Sequence, residues 1–181
     1  MKRFLSPLRR GVLAVAIVLG AGVAVSAPKE DAINLRIARQ QYNLVMTSEN
    51  VTGQDFQLAR TANGLRGQTY LGVVDVKFKE GEVKGSLGSA LVNLKVKRDG
   101  DTVEAEGGFG GRPASVKLGK DELKIYIRDC TYRLKAREPG RSYAGKRSCD
   151  TSLVPESEIW LPDEFLAASP EEKVALLLLA L

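Results

Sequence analysis

The sequence predicts a mainly β fold: an antiparallel meander of about 8–10 short strands, shaped as a roll, sandwich or barrel, with a short C-terminal α-helix. Three observations carry this expectation. Between residues 42 and 135 apolar and polar residues alternate with period two, the pattern of a strand with one buried face. Glycine-containing turn signals break the alternation at short intervals. From residue 169 the pattern becomes that of a capped helix.

The chain opens with "MKRFLSPLRR", then the 15-residue apolar run "GVLAVAIVLGAGVAV", then small residues. A basic start, an apolar stretch and small residues before a polar segment describe a secretory signal peptide, assigned to residues 1–27. The run falls short of the roughly 20 apolar residues a membrane span needs. The expected product is exported, periplasmic or extracellular, with no transmembrane span after signal cleavage. Cleavage removes Lys2, Arg3, Arg9 and Arg10 and no acidic residue, so the net charge falls from +5 to +1. The basicity is largely a sorting feature, and no nucleic-acid partner is expected. What remains suits one domain with a real core: a β-rich part over residues 28–168 and a helix over 169–181 packed on it.

Three hairpins can be read in series. In "VVDVKFKEGEVKGSLG" the turn Glu80-Gly81 opposes Phe78 to Val83, Val76 to Gly85 and Lys79 to Glu82. In "LVNLKVKRDGDTVEAEGG" a turn at Asp99-Gly100 opposes Val96 to Val103, Leu94 to Ala105 and Lys95 to Glu104. In "ASVKLGKDELKIYI" a turn through residues 119–122 opposes Leu118 to Leu123, Val116 to Ile125 and Ala114 to Ile127. It also sets Lys117 against Lys124, a mild electrostatic cost. The apolar phase survives each turn. The triplets Val76-Lys77-Phe78, Leu94-Lys95-Val96 and Val116-Lys117-Leu118 form a loose hairpin repeat whose uneven spacing argues against a strict solenoid. "YNLVMT" and "DFQLAR" read as further strands.

At the C-terminus, Ser169, Pro170 and Glu172 occupy the N-cap, N1 and N3 positions of a helix, and Glu171 and Glu172 favour its positive end. From Val174 onward this helix is apolar on every side, so it must be buried, against one face or across the open end of the sheet. Before it, Trp160, Leu161, Phe165 and Leu166 read as a core-covering turn or short helix.

Composition removes several chemistries. The chain has no histidine, which excludes Ser-His-Asp and Cys-His arrangements and nearly all ordinary zinc sites. No P-loop or dinucleotide fingerprint is present, and "GGFGG" has no following helix to hold phosphate. No cofactor and no metal are expected. Asp99, Asp101, Glu104 and Glu106 leave a carboxylate hydrolase open, but lysines surround them and solvated surface is the simpler reading. The chain therefore reads as non-catalytic.

The two cysteines, Cys130 and Cys149, are expected to pair in an oxidising compartment and close a loop over residues 130–149. Residues 117–149 carry ten Lys/Arg against four Asp/Glu, and residues 150–181 carry one Lys against seven Asp/Glu. This asymmetry has two readings. The basic segment attracts the acidic one within the fold, or it meets an external partner. Under the second reading Arg137, Arg141, Tyr143, Lys146 and Arg147 form the contact surface, since Arg and Tyr are typical interface anchors. The resulting expectation is an exported, non-catalytic binding or structural accessory protein of the cell envelope or extracellular space, contacting a protein or acidic glycan through this basic loop. Two alternatives stay open: a β-barrel carrier of an apolar ligand, and a protease inhibitor presenting Arg141.

Overall fold

The computed structural model describes residues 31–181; the expected signal peptide, residues 1–27, lies outside them. Fourteen strands run in chain order: β1 Ala32–Ile37, β2 Gln40–Met46, β3 Asn50–Gly53, β4 Phe56–Thr61, β5 Gly64–Thr69, β6 Gly72–Lys79, β7 Glu82–Leu87, β8 Ala90–Asp99, β9 Thr102–Phe109, β10 Arg112–Leu118, β11 Glu122–Ile127, β12 Cys130–Glu138, β13 Ser142–Arg147 and β14 Ser157–Trp160. Each pairs antiparallel with its neighbour in sequence, and β1 pairs with β14 through Asn34–Trp160, Leu35–Ile159 and Arg36–Glu158, so the meander closes into a barrel. Two helices follow, α1 Asp163–Ala167 and α2 Pro170–Ala180.

The mainly β meander and the C-terminal helix match the sequence expectation; the strand count is higher. The additional strands are short or lack clean alternation. In β5, "GLRGQT", glycine stands where a large apolar residue would mark the inward face. In β13 Tyr143 and Gly145 point the same way, and only one of them reads as apolar.

Two of the three expected hairpins keep their register. Lys79 faces Glu82, Phe78 faces Val83 and Val76 faces Gly85; likewise Leu118 faces Leu123 and Val116 faces Ile125. The middle hairpin is shifted. Its two-residue loop is Gly100-Asp101, with Gly100 at φ +56°, and Asp99 pairs with Thr102. Val96 therefore meets Ala105 and Leu94 meets Gly107. The physical reason lies on both faces. On the outer face this register sets Lys95 against Glu106 and Lys97 against Glu104, two opposite-charge pairs where the expected register offered one on that face. On the inner face it puts a glycine beneath Leu94. At the equivalent place in the preceding hairpin, a Cβ on Gly85 would stand 2.0 Å from the Asp75 carbonyl oxygen, so the close approach of β6 and β7 requires glycine there.

The inward phase of the wall is apolar, from Ile33 and Leu35 through Val74, Val76, Val83 and Leu94 to Ile125, Leu134 and Ile159, all buried. The outward phase is polar and charged, with Lys77, Lys84, Lys95, Lys97, Glu104, Lys117, Lys124 and Arg133 exposed. This is the reverse of a membrane-spanning barrel, whose outer band is apolar. Among the described residues no helix is long and apolar enough to cross a membrane.

The helix α2 fills the lumen. Residues 174–181 are all at most 9% exposed, although they present apolar side chains in every direction. The helix packs against β5 to β9 and joins the wall in one hydrophobic cluster. Its 11 residues rise about 16 Å, close to the height of tilted strands six to eight residues long. Capping follows the sequence: the Ser169 hydroxyl accepts the Glu172 amide at 3.1 Å. At the entry end Arg60, its side chain 11% exposed, donates to both oxygens of Glu172 at 2.6 and 3.2 Å and to Glu164 at 2.5 Å, and it also donates to the Thr47 carbonyl. The Gly81 amide donates to Glu171 at 3.0 Å. At the far end Arg128 donates to the Leu181 carbonyl at 3.4 Å.

Two substitutions check this arrangement. Leu178→Ala, at 0% exposure, lowers the unfolding free energy by about 2–5 kcal/mol in denaturant titration. Arg60→Ala strands the half-sealed carboxylates of Glu164 and Glu172 and lowers it by about 3 kcal/mol. If α2 only rested on the outside, both would fall below about 1 kcal/mol.

Candidate functional site

Residues 130–149 form no open loop. They are the hairpin β12–β13, a full part of the barrel wall between β11 and β14. The Cys130–Cys149 disulfide is formed, with Cα atoms 5.4 Å apart, and it closes the open base of the hairpin where the ladder ends at Tyr132 and Arg147. At the other end Pro139-Gly140 makes the turn, with Gly140 at φ +74°. The ladder carries an irregularity between Ala136 and Glu138.

The five predicted contact residues are dispersed, and each has an internal partner. Tyr143 requires a correction: it is 1% exposed, lies on the inward phase and donates its hydroxyl to the Gly119 carbonyl at 2.8 Å. Burial pushes its phenol up to about 12. It is a core residue, because it pairs with Ala136 in the same unbroken register that sets Leu134 against Gly145, and so takes the phase that faces the lumen. Arg141 bonds Asp163 and lies 5.6 Å from the centroid of the Trp160 ring. Arg137 donates to Glu156 at 3.2 Å. Lys146 reaches the Val154 carbonyl at 3.5 Å. Arg147 grips Asp150 through Nε at 2.9 and 3.0 Å and through Nη2 at 2.5 Å, with its guanidinium 5.7 Å from the Tyr132 ring centroid.

The acidic partners Asp150, Glu156 and Asp163 all come from the acidic C-terminal segment. The charge asymmetry of the sequence is thus spent in part on folding the tail back over the hairpin. Geometry also bears on the alternatives. The lumen a carrier would use is occupied by α2, and Arg141 is drawn against Asp163 and Trp160 rather than presented on a loop tip. Asp99, Glu104 and Glu106 lie exposed on the outer wall, and Asp101 is exposed in the β8–β9 turn.

Sequence reasoning missed a different feature of the same hairpin. On the outer face the registers run Lys117–Lys124, Lys124–Arg133 and Arg133–Lys146. Four cations therefore stand side by side across β10, β11, β12 and β13, at the strand spacing of about 4.8 Å. All four are exposed. Lys117, at one end, is 3.6 Å from Glu104 and 3.7 Å from Glu122. Lys124, Arg133 and Lys146 have no acidic neighbour within ion-pair distance among the described residues. Like charges directly opposite one another destabilise a sheet, so nothing in the packing explains this ladder. Lys135 and Arg137 extend the basic surface toward the turn.

The Arg147–Asp150 pair gives a pH dependence with a definite sign. The hydrogen bond from Arg147 holds the Asp150 carboxyl below its ordinary value, against the opposing effect of burial, while Arg147 is raised by the same bond. Its stabilisation is complete above the unfolded carboxylate value of about 3.9 and is lost as pH falls through the lower native value. Thermal melts between about pH 5 and pH 2 show wild type losing stability over this window. Asp150→Asn is less stable at neutral pH by about 1–3 kcal/mol, and its profile is flatter below pH 4.

Comparison of the chain with protein-family models, with curated proteins and with solved structures finds no match.

Proposed function

We propose that the protein is an exported, non-catalytic binding protein of the cell envelope or extracellular space that takes an acidic glycan on the outer face of β10–β13. The observation that carries this reading is the four-strand cation ladder Lys117, Lys124, Arg133 and Lys146, held in fixed register on a closed wall. A line of cations about 15 Å long, on a surface without a deep pocket, suits an extended anionic polymer lying across the strands better than a folded globular partner. Lysine and arginine aliphatic stems shield the sheet while their heads remain in water, ready to exchange small counterions for carboxylates. The disulfide and the apolar leader support an oxidising destination. Of the residues named from sequence, Lys146 is in the ladder and Arg137 flanks it; Arg141 and Arg147 hold the hairpin and tail in place.

The test uses polygalacturonate, a uniformly carboxylated polysaccharide, with neutral dextran as control. Wild type binds polygalacturonate at low ionic strength and loses affinity steeply as salt rises. Lys124→Ser/Arg133→Ser/Lys146→Ser binds at least about tenfold more weakly, with a salt slope smaller by roughly one per cation removed. A single change separates function from folding. Lys124→Glu, placed between Lys117 and Arg133, raises stability by about 0.5–1 kcal/mol while weakening binding. Retention of wild-type binding by the triple variant overturns the proposal, as does absence of binding at low salt.

A further inference from the structure

A second cleft, far around the barrel from the cation ladder, has the opposite character. The chain contains five glutamines, Gln40, Gln41, Gln54, Gln57 and Gln68, and all five line two adjoining hollows of about 440 and 570 Å³. The hollows share Asp55, Phe56 and Tyr70 and so adjoin at the β3–β4 turn, one at the far mouth of the barrel and the other on the outer wall; we take them together as one cleft. The floor at the mouth is Ala180 of α2 with Leu44. On the outer wall Thr52 faces Gln57 and Gln57 faces Gln68, a neutral row across β3, β4 and β5.

Two tyrosines stand at the mouth. Tyr42 is 36% exposed and donates its hydroxyl to the Gln40 side-chain oxygen at 2.6 Å. Tyr70 is 53% exposed, and the Arg128 guanidinium lies 5.6 Å from its ring centroid. Asp55 is the one charged residue lining either hollow, in a chain that is 27% charged. The hollow on the outer wall of β6–β7 shows the contrast, since Asp75, Lys77, Lys79, Glu82 and Lys84 line it.

We propose that this cleft binds an uncharged polyhydroxylated ligand, of the class of neutral oligosaccharides. A hydroxyl group both donates and accepts, and a glutamine amide offers a carbonyl acceptor and two N–H donors, so the two match without any ion. A charged ligand would lose hydration here and find little countercharge. The tyrosine rings supply apolar faces with polar tips, suited to the C–H faces of a sugar ring. Five long, rotamer-rich amides gathered at one place add nothing to the core, and ordering them is unfavourable unless a ligand makes use of them.

The experiment is calorimetric titration of the protein with soluble cello-, malto-, laminari- and chito-oligosaccharides. At least one binds saturably, with an affinity that does not change between low and high salt. Tyr70→Ala and Gln57→Ala/Gln68→Ala, both at exposed positions, each weaken it at least about tenfold with unchanged melting temperatures. Lys124→Ser/Arg133→Ser/Lys146→Ser leaves it unaltered, which separates this cleft from the cation ladder. Failure of all four oligosaccharides to bind at millimolar concentration overturns the inference, and so does binding that survives both cleft variants.

Discussion

The rest of the structure depends on how the lumen is filled. About eight strands make a barrel whose interior side chains just meet, and 16–18 leave an aqueous channel. Fourteen strands closed on themselves therefore surround more space than inward Val, Leu and Ile can fill. The sequence 174–181, apolar on every side, is the solution: a helix with no polar face is stable only where every direction is apolar, and a barrel axis is such a place. Each element is incomplete without the other. The carboxylates of Glu164, Glu171 and Glu172 remain at the entry end, where Arg60 and the Gly81 amide receive them, so the charged first turn marks how far the helix enters.

Because the interior is settled by apolar packing, the outer wall is free to carry charge, and it does so in two ways. Over β8 and β9 opposite charges face each other and support the register. Over β10–β13 like charges face each other, and the register is supported instead by the apolar inner face and by the disulfide at the base of the hairpin. The acidic tail could have neutralised this ladder, yet its carboxylates go to Arg137, Arg141 and Arg147 and leave Lys124 and Arg133 open. Covalent closure of the hairpin lets the wall tolerate a repulsion that a free hairpin would relieve by fraying.

Much of the fold was legible because it is local. Period-two alternation and turn glycine place Lys79 opposite Glu82 without knowledge of any other strand, and Ser169-Pro170 announces the helix that follows. Closure was not legible: β1 meets β14 across more than a hundred residues, and neither Asn34–Trp160 nor Arg36–Glu158 leaves a trace in short-range pattern. The helix read as buried, but whether it lay on the sheet or within it depends on the strand number, which glycine-broken strands such as β5 concealed. For the site, alternation sets Lys117 opposite Lys124, but residues 130–149 read as a loop, so Arg133 and Lys146 receive no strand phase. The signal that could have joined them is additive: two successive hairpin registers fix a third, and Lys117 opposite Lys124 was already visible. Tyr143 failed because the same span reads as a loop: carried through the two-residue Pro139-Gly140 turn, alternation sets Tyr143 opposite Ala136, on the inward face.

A closed meander has no edge strand, so a partner cannot attach by extending the sheet, and recognition must use side chains on the wall or at the barrel mouths. That restriction carries an energetic benefit. Side chains on adjacent ladder positions are held at fixed spacing by backbone bonds on both sides, and little backbone freedom remains to be lost on binding. A flat stripe of cations and a neutral amide cleft are surfaces that such a wall can hold ready. The stripe exploits spacing across strands, while the cleft exploits the step from the outer wall to the mouth at the Gln54-Asp55 turn, where Asp55 takes φ +54°. Both draw on the same filled lumen, because a wall free to flatten or ovalise would lose the inter-strand distances on which each depends.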